Sequence, residues 1–299
     1  MFNPLVEIFG YPISNTTKKA EQCRSNKICP YNNQVPNCTK DKRKDPLGVC
    51  SFLDGDNVAI ICPVRFRQNW QIVIDAADFF FPQNANWTSL HEVPLKERGE
   101  TRAGNVDFVL VAYDDKGKIA DFGSLEVQSV YISGNIRESF EYYMNNRSLG
   151  NDLNWDEFWR DHKKPHSDYL SSSRKRLVPQ MIYKGRIFKS WGKKQVVALH
   201  KKFFETLPPL PVVDRTEADI AWMLYSLDFN ESLKEYQLVL EQTVYTLFEP
   251  ALERIVTPQP DSMESFIKVL QTKLKNEEKP KDKSSCNVSL SELKERGII

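Results

Sequence analysis

The sequence predicts an α/β fold, in which a sheet packs against helices. Two strand-like runs, at 106–113 and 119–132, flank the polar turn DDKGK. An apolar run, QIVIDAADFFF, begins at Gln71, and helical periodicity dominates beyond residue 135. Both strand-like and helical segments are present, as a sheet with helices packed on it requires. The 299 residues are also enough to bury a sizeable core.

The N-terminal elements are less regular than those that follow. Residues 1–68 are rich in Cys, Asn and Lys and lack long apolar periods, which indicates an irregular, cysteine-rich segment before a second domain at 69–299. The QIVIDAADFFF run predicts a buried element, either helix or strand. Ser89–Leu95 predicts a short strand, and the two runs around DDKGK predict a β-hairpin.

The rest of the chain predicts a helical C-terminal half. Apolar periodicity favours helices at 136–145, 156–162, 169–175, 193–206, 217–227, 233–254 and 262–275. Residues 276–289, rich in Lys, Glu and Ser, predict a disordered linker. The apolar stripes of the helices at 217–227 and 233–247 suit either a dimer interface or the core.

Overall charge and hydropathy limit the protein class. The 41 basic and 40 acidic residues nearly balance. No apolar run approaches the roughly 20 residues of a membrane helix, and no signal peptide is recognisable. The sequence therefore predicts a soluble, intracellular protein that does not engage a membrane.

Local charge is far less balanced. Residues 160–202 contain thirteen Lys or Arg and only two Asp. Such a segment suits a polyanion such as nucleic acid. The alternative is a solvated helical face, which the scarcity of acidic partners disfavours.

Five of the six cysteines are clustered, at positions 23, 29, 38, 50 and 62. In a reducing compartment, clustered thiols suit a metal site better than disulfides. The spacing contains no CxxC pair, so free, partly buried thiols are an equal alternative.

Acidic residues on the predicted hairpin indicate a second kind of metal site. Glu126 and Gln128 share one face of their strand, and Asp107 on the preceding strand faces them across the ladder. Converging carboxylates bind a hard divalent cation such as Mg²⁺, and Glu92 is available as an accessory acid. A solvated sheet face would show the same pattern.

This arrangement follows the logic of metal-dependent phosphodiester cleavage. The usual nuclease hairpin carries Asp and then Glu-x-Lys, whereas Gln128 occupies the lysine position here. Gln can orient a water molecule but supplies no charge. A histidine-based mechanism, suggested by His91 beside Glu92, lacks the fuller set of histidines that it would need.

Several irregular phrases resemble the NotI-type family of bacterial type II restriction endonucleases. The resemblance runs from about residue 7 to 230 and rests on CTKDKRKDPLGVCS (38–51), CPVRF (62–66), ADFFFP (77–82), GNVDFVLV (104–111), LEVQSVYISGN (125–135) and VPQMIYKGRI (178–187).

The resemblance implies a PD-(D/E)xK nuclease core, a mixed central sheet flanked by helices, with an N-terminal four-cysteine metal-binding segment. It implies Asp107, Glu126 and Gln128 as the catalytic set, with Asp107 and Glu126 holding Mg²⁺ and Glu92 as accessory acid. The family variant of the motif also ends in Gln. The structural site would hold iron or zinc on Cys29, Cys38, Cys50 and Cys62, with Cys23 as an alternative ligand.

The resemblance further implies double-stranded DNA as substrate, cut at a GC-rich palindrome of the CGGCCG kind in the bacterial cytoplasm. A palindrome implies a homodimer with one active site per strand. Candidate DNA contacts are Arg65, Arg67, Arg174 and Arg176 for guanine edges or phosphates, and Lys184, Lys193 and Lys194 for phosphates. The alternative is a metal-stapled DNA-binding regulator without cleavage activity.

Overall fold

The computed structural model describes residues 3–32, 37–42, 44–97, 102–276, 294–295 and 297. It divides into a larger unit, Met1–Val256, and a smaller one, Thr257–Ile299. The division at residue 68 stays a prediction. Of the predicted linker at 276–289, residues 277–289 lie outside the described part of the chain.

Two sheets of the larger unit carry most of its strands. A four-stranded sheet, in the order β2-β1-β5-β6, precedes a six-stranded sheet in the order β14-β13-β12-β9-β8-β7. Two short pairs, β3-β4 and β10-β11, complete the described strands. The bounds are β1 Leu5–Ile8, β2 Tyr11–Pro12, β3 Asp41–Lys42, β4 Asp45–Pro46, β5 Val49–Asp54, β6 Asn57–Ile60, β7 Asn86–Lys96, β8 Arg102–Tyr113, β9 Ile119–Gln128, β10 Ile132–Ser133, β11 His166–Ser167, β12 Gln195–His200, β13 Ile220–Asn230 and β14 Glu235–Thr246.

The six-stranded sheet is mixed. Strands β7, β8 and β9 form an antiparallel meander, β12 runs parallel to both β9 and β13, and β14 returns antiparallel to β13. A parallel neighbour needs a long crossover, and residues 129–194 supply it. The predicted α/β class is therefore confirmed.

The helices lie before, within and after this crossover. Their bounds are α1 Lys18–Ser25, α2 Gln71–Phe80, α3 Ile136–Asn146, α4 Trp155–Asp161, α5 Tyr169–Ser172, α6 Val178–Gln180, α7 Arg186–Ser190, α8 Lys201–Glu205, α9 Phe248–Val256 and α10 Met263–Asn276. Turns of 3₁₀ geometry cover Pro63–Trp70 and Arg147–Asp152, and turns of π geometry cover Ser173–Leu177 and Met181–Gly185. Since α5 leads through both π turns to α7, residues 169–190 form one uneven helical run.

The predicted hairpin is present as β8 and β9. Its turn is closed by the Asp114 carboxylate, which accepts the N–H groups of Lys116 and Lys118 at 2.9 Å each. Gly117 has φ of +76°, a conformation that a residue with a Cβ adopts only under strain. Local turn chemistry therefore fixes the register of the two strands.

The prediction of a helical C-terminal half is wrong for residues 195–246, whereas the helix predicted at 262–275 is present as α10. Residues 195–200, 220–230 and 235–246 are strands; the short helix α8 follows β12, and α9 and α10 follow β14. Every residue of β12 is buried, as are most residues of β13, so the alternation that identifies a strand is absent. The segments at 217–227 and 233–247, considered as dimer helices, are strands β13 and β14.

The two faces of the six-stranded sheet are covered by different elements. Helix α2 packs on one face, where Ile72 and Ala76 join a core with Leu125 and Val196. The crossover and α9 cover the other face, where Met181 and Phe248 share a core with buried residues of β12 and β13. Side chains of β9 that alternate with Leu125 therefore face the crossover.

Candidate active site

Three acids lie in a row across the antiparallel meander. The β7–β8 register is constant on either side of Glu92 and places it across from Asp107. The β8–β9 register, continued one step beyond the Phe108–Leu125 pair, places Asp107 across from Glu126. Glu92 has φ of +53° within β7 and remains half exposed, whereas the other two acids are largely enclosed.

Asp107 is fixed by the neighbouring strand. Its Oδ2 accepts the Val127 N–H at 2.8 Å. Burial raises the pKa of the Asp107 carboxyl, while the Val127 N–H and the Lys184 amine act in the opposite direction. The side chain is thus oriented by β9 and held beside Glu126.

Glu126 has the most strongly shifted pKa among the acids of the site. Burial, and then repulsion from Asp107, raise the pKa of its carboxyl to about 8. Its Oε2 accepts from Lys184 Nζ at 2.6 Å. Its Oε1 is buried and has no hydrogen-bond partner among the described residues. A buried acceptor without a partner is costly and marks a place for a missing donor or cation.

The donor set fits a divalent cation. Two adjacent carboxylates repel each other, and oxygen ligands are those that Mg²⁺ prefers. No group of three or more His, Cys, Asp or Glu side chains is placed to hold a metal ion within the described residues. A cation held by Asp107 and Glu126 would therefore complete its shell with phosphate and water, as Mg²⁺ usually does.

Gln128 lies on the same face of β9 as Glu126, two residues further along. It is only 3% exposed, and its Nε2 donates to Gln180 Oε1 on α6. The structure thus places Gln128 beside the pair, with its amide engaged by the crossover helix.

Lys184 lies inside the site, although sequence reasoning assigned it only to phosphate contacts. Its Nζ donates to Glu126 Oε2 and, at 2.9 Å, to the backbone oxygen of Asn105. The side chain is 8% exposed, so it is not part of an open basic surface. The signal available in the sequence was its position within the VPQMIYKGRI phrase, combined with the missing lysine at 128.

A cavity of about 340 Å³ opens beside the acids and is lined by Arg67, His91, Glu92 and Asp107 among others. Arg67 contacts the His91 ring nitrogen, and its guanidinium lies 5.5 Å from the centre of the Phe108 ring. Burial, and then the Arg67 charge, lower the pKa of His91. Arg67 therefore provides positive charge at the mouth of the site, and His91 is held neutral.

Arg65, predicted to contact guanine edges or phosphates, has a fully buried side chain. It forms an ion pair with Glu7 at 3.0 Å and donates to Gln68 and to the Tyr236 backbone oxygen. Both members of the pair have no exposed side-chain surface. Arg65 therefore joins the N-terminal sheet to β14.

The remaining predicted DNA contacts lie on several elements rather than on one helical face. Arg174 and Arg176 are exposed on the first π turn, and Arg176 lies 5.2 Å from the centre of the Tyr131 ring. Lys193 pairs with Asp121 at 2.6 Å, and Lys194 lies over the Phe79 ring. The two arginines are thus the more accessible candidates.

All five clustered cysteines are buried free thiols. Burial, and then other thiols, raise the pKa of Cys50, and burial raises that of Cys29 to about 12. Cys38 and Cys62 add to the raised pKa of Cys29, and Cys29, Cys38 and Cys62 add to that of Cys50. After burial, the groups that act most on the pKa of Cys23 are Tyr11 and Lys19. The four thiols share one region, yet the described residues do not form the ligand set expected for iron or zinc.

A comparison with protein-family models matches residues 7–238 to the family described as restriction endonuclease NotI. The chain belongs to this family. A search of curated proteins gives no significant match. The NotI-family match includes all three acids, Gln128 and Lys184. The protein is accordingly a site-specific deoxyribonuclease that acts on double-stranded DNA. Of the helices described, none is both long and apolar enough to span a bilayer.

Proposed function

We propose that the protein is a type II restriction endonuclease with a PD-(D/E)xK core, which uses Mg²⁺ to hydrolyse both strands of a GC-rich palindrome. The observation that carries this proposal is the largely enclosed Asp107–Glu126 pair, in which Glu126 Oε1 is buried and lacks a partner among the described residues. Two repelling carboxylates on neighbouring strands, beside a cavity that Arg67 also lines, are suited to a cation and a phosphate.

Each side chain has a role that follows from its position in the candidate site. Asp107 and Glu126 would hold the cation, and the backbone N–H of Val127 keeps Asp107 in place for it. When bound, Mg²⁺ lowers the pKa of a coordinated water molecule and offsets charge that develops at phosphorus. Arg67, at the cavity, would orient the phosphate through charge-assisted hydrogen bonds.

Recognition and assembly form the second part of the proposal. Arg67, Arg174 and Arg176 would contact guanine edges or the backbone, and Lys193 and Lys194 would add phosphate contacts. A palindromic target is read by a two-fold symmetric protein, so the active form would be a homodimer with one site per strand. The cysteine cluster is no part of the proposed chemistry.

Removal of one carboxylate charge tests the catalytic assignment. Glu126→Gln is expected to lower the cleavage rate of a plasmid in Mg²⁺ by at least about 100-fold, because a cation ligand is lost. The variant should still bind the same DNA. Asp115→Asn, on the exposed turn of the same hairpin, is the matched control and should cut normally.

The outcomes separate the competing functions. Discrete fragments from the unaltered protein, and intact plasmid with Glu126→Gln, support the proposal. A footprint without cleavage in any divalent metal would instead identify a DNA-binding regulator. Equal cutting by both proteins would show that the catalytic carboxylates lie elsewhere.

A further inference from the structure

The active-site strand β9 supplies no positive charge. Its Glu-x-Gln sequence ends in Gln128 where the common nuclease hairpin has lysine, and the Gln128 amide donates to Gln180. A carboxamide carries no net charge. The two largely enclosed carboxylates of Asp107 and Glu126 therefore need their cationic partner from another element.

Lys184 is the cation that meets this need. Its Nζ lies 2.6 Å from Glu126 Oε2, and the pair is almost closed to solvent, with 8% and 12% of the side chains exposed. The lysine contacts only one of the two carboxylate oxygens, and Oε1 is left unpartnered among the described residues. A salt bridge that served folding alone would have no reason to leave the second buried oxygen unsatisfied.

The fold holds this lysine from several sides. Lys184 lies in the second π turn, Met181–Gly185, and such turns within helices are frequent at functional sites. The Gly185 backbone oxygen accepts from Gln195 Nε2 at 3.1 Å, which ties the turn to β12. The Asn105 backbone oxygen receives a second N–H of the amine at 2.9 Å. The amine is thus fixed between β8 and β9.

We propose that Lys184 is a positioning residue for DNA cleavage: it holds Glu126 by Oε2, aims Oε1 at the cation, and supplies from the crossover helix the charge that Gln128 does not. This inference rests on the proposed function. It assigns to Lys184 a role in the reaction rather than a contact with the DNA backbone.

The test compares Lys184→Met with Lys189→Met in the full-length protein. Lys189 lies on the same helical run and pairs with Asp219 at 2.7 Å, away from Glu126, so its loss controls for removal of a paired lysine. Single-turnover plasmid cleavage is measured against Mg²⁺ concentration. DNA affinity is measured separately with Ca²⁺ in place of Mg²⁺.

Lys184→Met is expected to slow cleavage by about 100-fold and to raise the Mg²⁺ concentration needed for half-maximal rate by about tenfold. DNA affinity in Ca²⁺ should change by less than about twofold, and Lys189→Met should cut like the unaltered protein. A DNA affinity that falls as much as the rate would make Lys184 a DNA contact and overturn the inference. Cleavage by Lys184→Met within about threefold of normal would also overturn it.

Moving the amine to another position distinguishes a positioning role of Lys184 from a packing role. Lys184→Met combined with Gln128→Lys returns an amine to the same face of the site, from β9, and should recover at least about tenfold of the lost rate. No recovery would show that the amine serves packing at 184, against the inference. If Lys184→Met does not fold, Lys184→Gln, which keeps a donor without the charge, is measured with the same criteria. Failure of the unaltered protein to cut would refute the proposed function, whereas normal cutting by the variants refutes only the role of Lys184.

Discussion

At the scale of single residues, burial decides which charges serve the site and which serve the fold. Arg65 and Arg67 are two positions apart, yet Arg65 is enclosed with Glu7 and Arg67 lines the cavity beside Asp107. Residue type alone cannot separate these roles, because both are arginines in one short phrase. The 3₁₀ turn that carries them aims one inward and the other at the cavity.

His200 gives a prediction at this scale. It is 3% exposed, and burial lowers its pKa to about 4. Because an unfolded histidine titrates near 6.5, the unfolded state binds more protons below that pH. We expect the free energy of unfolding to be at its full value above pH 6.5 and to fall, by on the order of 3 kcal/mol, as the pH drops to about 4.

Urea unfolding at pH 7, 5.5 and 4.5 measures this loss. His200→Gln should remove that part of the pH dependence, while His166→Gln, at an exposed position, should retain it. Parallel pH curves for the unaltered protein and His200→Gln would contradict the assignment.

At the scale of elements, structure that neighbouring residues determine could be predicted from the sequence, whereas structure that depends on contacts between distant segments could not. The β8–β9 hairpin was predictable because its turn, DDKGK, fixes the register, and that register places Asp107 across from Glu126. Strands β12 and β13 were mistaken for helices, because strands buried on both faces show no alternation. The contact of Lys184 with Glu126 could not be predicted, because the two residues are 58 positions apart and a π turn carries Lys184.

The packing of that turn gives a second prediction. A Cβ on Gly185 would lie 2.6 Å from Phe248 Cε2 and 3.0 Å from Gln195 Oε1, distances that force the helical run off the sheet. Gly185→Ala should cost about 1–3 kcal/mol and should slow cleavage by withdrawing Lys184. The free energy of unfolding and the cleavage rate at saturating Mg²⁺ measure the two effects.

A double variant serves as the control for this contact. Phe248→Leu removes ring atoms from the clash, so the loss in Gly185→Ala/Phe248→Leu should be smaller than the sum of the single losses. Strictly additive losses would mean that the two residues do not meet as described.

At the scale of the whole molecule, the larger unit carries the whole candidate site. The acids come from the meander and the lysine from the crossover, and both lie on a sheet that buried side chains stabilise. The catalytic cation is therefore expected to be dispensable for folding.

Removal of divalent metal tests whether the fold is stable without the catalytic cation. EDTA should abolish plasmid cleavage, and Mg²⁺ should restore it, because two carboxylates alone cannot activate water. The far-UV circular dichroism spectrum and the thermal midpoint without DNA should change little. A large loss of secondary structure with EDTA would show that a bound metal supports the fold, as the resemblance had implied for the cysteines.

The distance along the chain between Glu126 and Lys184 also bears on synthesis of the protein. A ribosome completes the β8–β9 hairpin long before it reaches the crossover helix, so the nascent hairpin holds both acids without their amine. A nuclease assembled in this order has no finished centre until most of the sheet can close around it. Incomplete chains released from translation would accordingly pose little danger to the chromosome of the cell that makes them.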